Sequence, residues 1–310
     1  MLLLMQLNCT NEPSKMKSAP EFICDYLNQE KPGLVPKPFA PDIFSTKGKF
    51  EFNLHSSLTF SPDGKEIYFV NQSFPVVPGY SKTLMFMKNE NGRWSEPKTV
   101  PFSGRYSDGV PIFSEDGSRL YFGSVRPLSG EGEPKDNDIW YVDRLPDGWS
   151  EPENLGSSIN SRFKEWGFSF AKNRTVYFGR DSKIQDAGYD IYMSVYKDDK
   201  YQAPQKLSSQ INTEFSEGAP RIAPDESFLI FYRTNRADRA NSGLYISFKR
   251  EDGLWTEGKM ISDSWNLPRG LPFCTTTTPD GKYIFILNRR DGIYWVDAKI
   301  IEELKPDGLK

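Results

Sequence analysis

The 310-residue chain has 39 lysines and arginines against 42 acidic residues, a net charge of −3, so no broad basic face for nucleic acid is expected. No run of 18 apolar residues occurs, which excludes a membrane-spanning helix. The single histidine, His55, excludes a multi-histidine metal site, and Cys9, Cys24 and Cys274 lack metal-ligand spacing, so neither metal nor other cofactor is expected.

In chain order, the first stretch is MLLLMQLNCTNEPSKMKS: a short apolar run, then Cys9, then a polar tail. It resembles the end of a bacterial lipoprotein signal, in which the cysteine is acylated and becomes the first residue. The basic leader is missing, the run is short, and Gln6-Leu7-Asn8 departs from the residues usual before that cysteine. A start codon placed too late accounts for the first two departures. The competing reading is a frayed tail on a soluble protein. Residues 1–33 are expected to form a signal-like or disordered lead-in, 34–300 one folded domain, and 301–310 a tail; AKIIEELK supplies helix formers.

From residue 55 onward the chain repeats itself. SPDGKEIYF at 61–69 recurs as SEDGSRLYF, AKNRTVYF, APDESFLIF and TPDGKYIFI. The anchors Asp63, Asp116, Asn173, Asp225 and Asp280 are spaced 53, 57, 52 and 55 residues apart. Each unit has a short strand, a tight Asp-Gly or similar turn, and a strong strand such as EIYFV. A polar loop, a third strand such as DIWYVD and a hairpin to a fourth strand such as SEPENLG complete it. Four antiparallel strands repeated radially make a β-propeller blade. The fifth unit lacks its fourth strand, and FAPDIFS at 39–45 has the missing strand's shape. The expected fold is therefore all-β: a single five-bladed β-propeller of four-stranded blades. An N-terminal strand closes its last blade near Tyr294 and leaves no free edge.

The SPDGKEIYF-type hairpins resemble the WD40-like propeller repeats of the bacterial TolB type, over roughly residues 26–300. The lead-in YLNQEKPGLVPKPFAPDIFST is similar to one found before propellers in a group of bacterial exported proteins. TolB-type members usually have six blades, and five are counted here. The resemblance implies a binding or interaction module of the bacterial envelope, periplasmic or tethered to the outer membrane through Cys9. It does not specify chemistry, because the fold hosts many functions.

Propellers present ligands at the channel mouth, where inner strands begin. Eight residues before each anchor stand His55, Asp108, Glu165, Glu217 and Pro272, with Arg269 just upstream of the last. Three carboxylates around one axis suggest an acidic funnel, in which at least one pKa would rise. Three readings stand: solvated rim residues paired with arginine or backbone N–H groups; a ligand site for a cationic or carbohydrate group; or a glycosidase-like site. Five-bladed glycosidases place three carboxylates in such a funnel, and Asp108, Glu165 and Glu217 could imitate them. Arg126, Arg180, Arg236 and Arg290 follow the second strands as loop ties or as clamps for a glycan carboxylate. Trp94, Trp149 and Trp255 recur at one hairpin position and are expected to pack. Trp166 and Trp265 break the repeat and are stacking candidates, Trp166 foremost because it adjoins Glu165. No nucleophile elbow, phosphate loop or HExxH motif is present. Cys274 is expected to pack in the inner strand of blade five, and a Cys24–Cys274 disulfide is open. The sequence thus favours a monomeric, non-enzymatic propeller. Its partner would be a protein or carbohydrate bound at the funnel or its loops, and the alternative is a glycan-active hydrolase or lyase using funnel carboxylates.

Overall fold

A computed structural model describes residues 22–181, 188–235, 237, 241–261, 265–267 and 272–309. Cys9, Arg236 and Arg269 lie outside the described residues. Five antiparallel sheets follow one another along the chain and form a five-bladed β-propeller. Their inner strands are Thr59–Phe60, Asp108–Phe113, Glu165–Phe170, Ser216–Ile222 and Pro272–Thr277. The second strands, such as Glu66–Gln72 and Tyr283–Asn288, are buried along most of their length. Each is covered on both faces by neighbouring blades, so it reads as a continuous apolar run instead of an alternating one.

The recurring anchor builds the turn itself. Asp63 accepts from Ser61 Oγ at 2.6 Å and from the Lys65 amide at 3.1 Å, while Ser61 Oγ accepts from the Glu66 amide at 2.8 Å. Asp116 and Asp280 repeat the arrangement with Ser114 and Thr278. The short side chain closes an Asx-type turn on its own backbone, so the motif recurs for architectural reasons.

Ring closure follows the expected pairing with a shift. The strand is Lys37–Pro38, opposite Trp295 and Tyr294. Phe39 N then donates to the Ile293 carbonyl at 2.8 Å, and Ile293 N donates to the Phe44 carbonyl at 3.2 Å. Within 39–45 the chain cannot stay extended: Ala40 is left-handed (φ 40°), and Phe44 N bonds back to its carbonyl at 2.9 Å. The resulting turn stacks Phe39 on Phe44, and both rings are fully buried against the fifth and first blades. Burying each ring is worth about 1.5–3 kcal/mol. Tyr26 packs on Tyr283 and Trp295, and the helix Ile300–Leu304 buries Ile300, Ile301 and Leu304 in the same core.

Cys24 and Cys274 are free thiols. Each sulfur instead accepts a backbone N–H, from Tyr26 and from Ser57. Burial pushes both thiols up to about 12, which makes them poor nucleophiles.

Candidate functional site: the mouth of the central channel

The three repeated carboxylates do not line an acidic funnel. Asp108, Glu165 and Glu217 are fully buried, and each is held by an arginine at 2.9 Å: Arg126, Arg180 and Arg233. The same cage recurs around each. A hydroxyl from Ser103, Ser161 or Thr213 donates to the carboxylate, and the arginine also donates to the carbonyl of Phe102, Ile159 or Ile211. Burial pushes the Asp108 and Glu165 carboxyls upward, against the pull of these donors. The cages latch one blade to the loop that enters it; they present no carboxylate to a ligand. The arginine of the fourth-blade latch is Arg233, opposite Glu217 in the sheet register, three residues before the Arg236 that the recurrence of arginines suggested. The signal was present as N-[S/T]-x3-E in Asn160-Ser161…Glu165 and Asn212-Thr213…Glu217.

Blade one explains why His55 belongs to a different set. Leu54 bridges Asn71, and His55 N donates to the Val70 carbonyl at 3.2 Å. In blades three and four the matching places opposite Gly179 and Tyr232 belong to Trp166 and Gly218, and the acids sit one residue earlier. Blade one carries an additional residue in its inner bulge, so counting back from the turn lands one position late. His55 therefore shares a level with Trp166 and Gly218 and not with the acids. Every longer inner strand bulges at this level. Gly167 (φ +60°) and Ala219 (φ 49°) carry the left-handed backbone, and a Cβ on Gly167 would meet Ala219 Cα at 2.7 Å. Bulges beside a channel re-aim side chains, and here they turn Trp166 and Phe273 across the axis.

These residues floor a mouth of about 780 Å³, within the range of small-molecule sites. Trp166 lies 5.1 Å from Phe273 and 5.8 Å from Tyr189, centroid to centroid, and Tyr232 meets Phe273 edge-on at 5.4 Å. Gly218 makes room for the indole, since a Cβ there would stand 3.2 Å from Trp166 Cζ3. The Arg289 guanidinium stacks 3.7 Å over Phe273. Lys82, Lys135, Lys164 and Arg289 line the mouth against Glu133 and Asp136. Lys135 is bound to Asp136 and Asp138. Neither Lys82 nor Arg289 has a carboxylate within 4.0 Å among the described residues. Desolvation and the Arg289 charge lower Lys82 to about 8, so it is mostly protonated at neutral pH. Desolvation, Lys82 and Arg289 lower His55 to about 3, so its imidazole is neutral. The electrostatic character is the reverse of the expected one: cationic, over an aromatic floor.

Of the other tryptophans, Trp149 donates to Tyr68 in the preceding blade, and Trp255 is buried edge-on to Tyr177 in its own preceding blade. Trp94 donates to Asp25. All three pack, as expected. Trp265 is fully buried in the core and cannot serve as a stacking platform. Arg290 is exposed on the turn beside Arg289. Lys82 opens the third strand of blade one, opposite Gln72, and Arg289 follows the second strand of blade five; neither residue type recurs at its position in the other blades, so no repeat signal marked them. Among the described residues, no cluster of three metal-ligating side chains occurs.

No family model matches the chain, and no curated protein matches it. Solved structures similar to it include an alpha-L-arabinofuranosidase from Lactobacillus brevis: 11% identity, TM-score 0.48, 79% of this chain and 90% of that one. A gluconolactonase from Xanthomonas campestris is 13% identical, with TM-score 0.42, covering 78% and 70%. A puromycin-hydrolyzing peptidase of Mycobacterium tuberculosis is 14% identical, with TM-score 0.43, covering 65% of this chain and only 28% of the peptidase. These likenesses are remote.

Proposed function

We propose that the protein binds an anionic, carboxylate-bearing carbohydrate at the channel mouth. The observation that carries this reading is the pairing of Lys82 and Arg289, which have no carboxylate partner among the described residues, with the Trp166–Phe273 floor. A guanidinium meets a carboxylate through two parallel hydrogen bonds. Aromatic rings supply flat apolar area to a sugar face, and the partial burial of Lys82 strengthens its charge interaction, while Arg289 is the more exposed of the two. The TolB-type resemblance of the repeats supports a binding role in a bacterial envelope, with Cys9 as the acylation site. Loss of membrane fractionation in a Cys9→Ala variant tests that placement, and unchanged fractionation would remove it. For the ligand, a panel of acidic and neutral oligosaccharides separates the readings. Retention of acidic members alone, lost in Lys82→Met/Arg289→Met, supports the proposal; equal retention of neutral members opposes it.

A catalytic reading has one specific observation behind it: Lys82 is lowered to about 8, where an amine can act as a base. The buried, arginine-bound carboxylates are poorly placed for hydrolysis. The better-matched reaction is β-elimination from a uronate-type sugar. Lys82 Nζ would take the proton α to the carboxylate while Arg289 neutralises that carboxylate. The C–O bond at the β-carbon then breaks, and the departing alkoxide takes the proton from the Lys82 ammonium, which restores the neutral amine. Ultraviolet absorbance of an unsaturated product, present with the parent and absent with Lys82→Met, tests this reading.

A further inference from the structure

Beneath the aromatic floor the channel narrows to a cavity of about 30 Å³ between the inner strands. A water needs about 10–15 Å³ of such space, so one or two water-sized particles fit. Three side chains on the cavity wall carry a buried polar atom with no hydrogen-bond partner among the described residues: Ser56 Oγ, Arg221 Nε and Thr275 Oγ1. They come from blades one, four and five. Their neighbours on the same strands are all engaged. Ser57 and Thr276 bond each other across the blade interface, and Thr276 also donates to the Leu58 carbonyl. Residues two apart share a strand face. Thr275 therefore lies on the face of Thr277, whose Oγ1 accepts from Arg221 Nη2 at 2.6 Å.

Arg221 differs from the latch arginines. Arg126, Arg180 and Arg233 each hold a carboxylate, whereas Arg221 has none within 4.0 Å among the described residues. The residue is partly exposed, but its Nε edge is buried, and a guanidinium edge left unpaired away from water is costly. Desolvation lowers this guanidinium to about 10, still far above neutral pH, so it remains charged. Among the described residues no carboxylate supplies the compensating charge.

We propose that a monatomic anion of chloride size occupies this axial cavity, held by Arg221 Nε, Ser56 Oγ and Thr275 Oγ1. Two hydroxyls and a guanidinium are donors, which suits a halide and not a metal ion. The cavity is too small for a sugar acid, so this site is separate from the mouth and does not depend on its ligand. Arg221 and Thr277 also line a recess of about 350 Å³ at the opposite ends of the inner strands, and that recess gives the ion a route in. Because the three donors belong to blades one, four and five, the ion ties the closing blade to both of its neighbours.

The test uses the full chain. Crystals grown in sodium bromide are expected to show anomalous scattering on the axis, within hydrogen-bond reach of Arg221 Nε. In solution, Tm is expected to rise and saturate with chloride by roughly 2–4 °C against gluconate at equal ionic strength. Arg221→Met should abolish that response. Absence of anomalous scattering in the parent protein overturns the proposal. A chloride response of the same size in the parent and the variant also overturns it. If the variant does not fold, the bromide result on the parent decides alone.

Discussion

Arg180 Nε stands 2.9 Å from Glu165 Oε1, across one rung of the third blade's inner hairpin, and the carboxylate has no exposed surface. Removing one member leaves a buried charge uncompensated, which costs far more than the pair itself contributes. Arg180→Met is expected to lose about 3–5 kcal/mol of stability in urea unfolding. The double variant Glu165→Leu/Arg180→Met is expected to lose less than the single one. A single-variant loss below about 1 kcal/mol would show that this latch is exposed to water after all.

Ring closure makes a separate prediction. Phe39 is fully buried and touches Phe285 and Trp295, at centroid distances of 4.9 and 5.1 Å. Phe39→Ala should cost about 3–5 kcal/mol. It should also speed hydrogen exchange at the Ile293 amide, which bonds the Phe44 carbonyl. Exchange at Ile293 unchanged from the parent would mean that the closing segment is not held by this ring.

The blades and their closure were legible because turn chemistry and strand periodicity are local. Asp63, Asp116 and Asp280 make their turns with residues no more than three positions away. The site was less legible because register is not local. One additional bulge residue in blade one moves His55 off the level of Glu165 and onto the level of Trp166. The spacing of the acids was visible, and so were Arg126 and Arg180; which arginine meets which acid was not, because each partner lies across a strand or beyond it, as Arg233 does opposite Glu217. Lys82 and Arg289 gave no repeat signal; only folding brings them to one mouth.

His55 offers a direct reading of that mouth, because it is the only histidine and its imidazole resonances assign themselves. An NMR titration should find it neutral near pH 7, with a pKa far below 6.5 and near 3. Its folded value lies below the unfolded one, so the unfolded chain binds the additional proton between these limits. Stability should therefore fall as the pH drops from about 6.5 towards 3, and His55→Gln should remove that part of the slope. A titration midpoint near 6.5 would place the imidazole in water, away from Lys82 and Arg289.

The most direct test of the cationic mouth is calorimetric titration with a uronic-acid oligosaccharide and its neutral counterpart, on either side of the Lys82 transition. Affinity for the acidic ligand is predicted to fall as the pH rises through about 8, because the amine loses its charge there. Lys82→Met is predicted to bind more weakly and to lose that pH dependence, and the neutral ligand should bind no better at either pH. Equal affinity for the two ligands, or an acidic-ligand affinity untouched by Lys82→Met and Arg289→Met, would contradict the account.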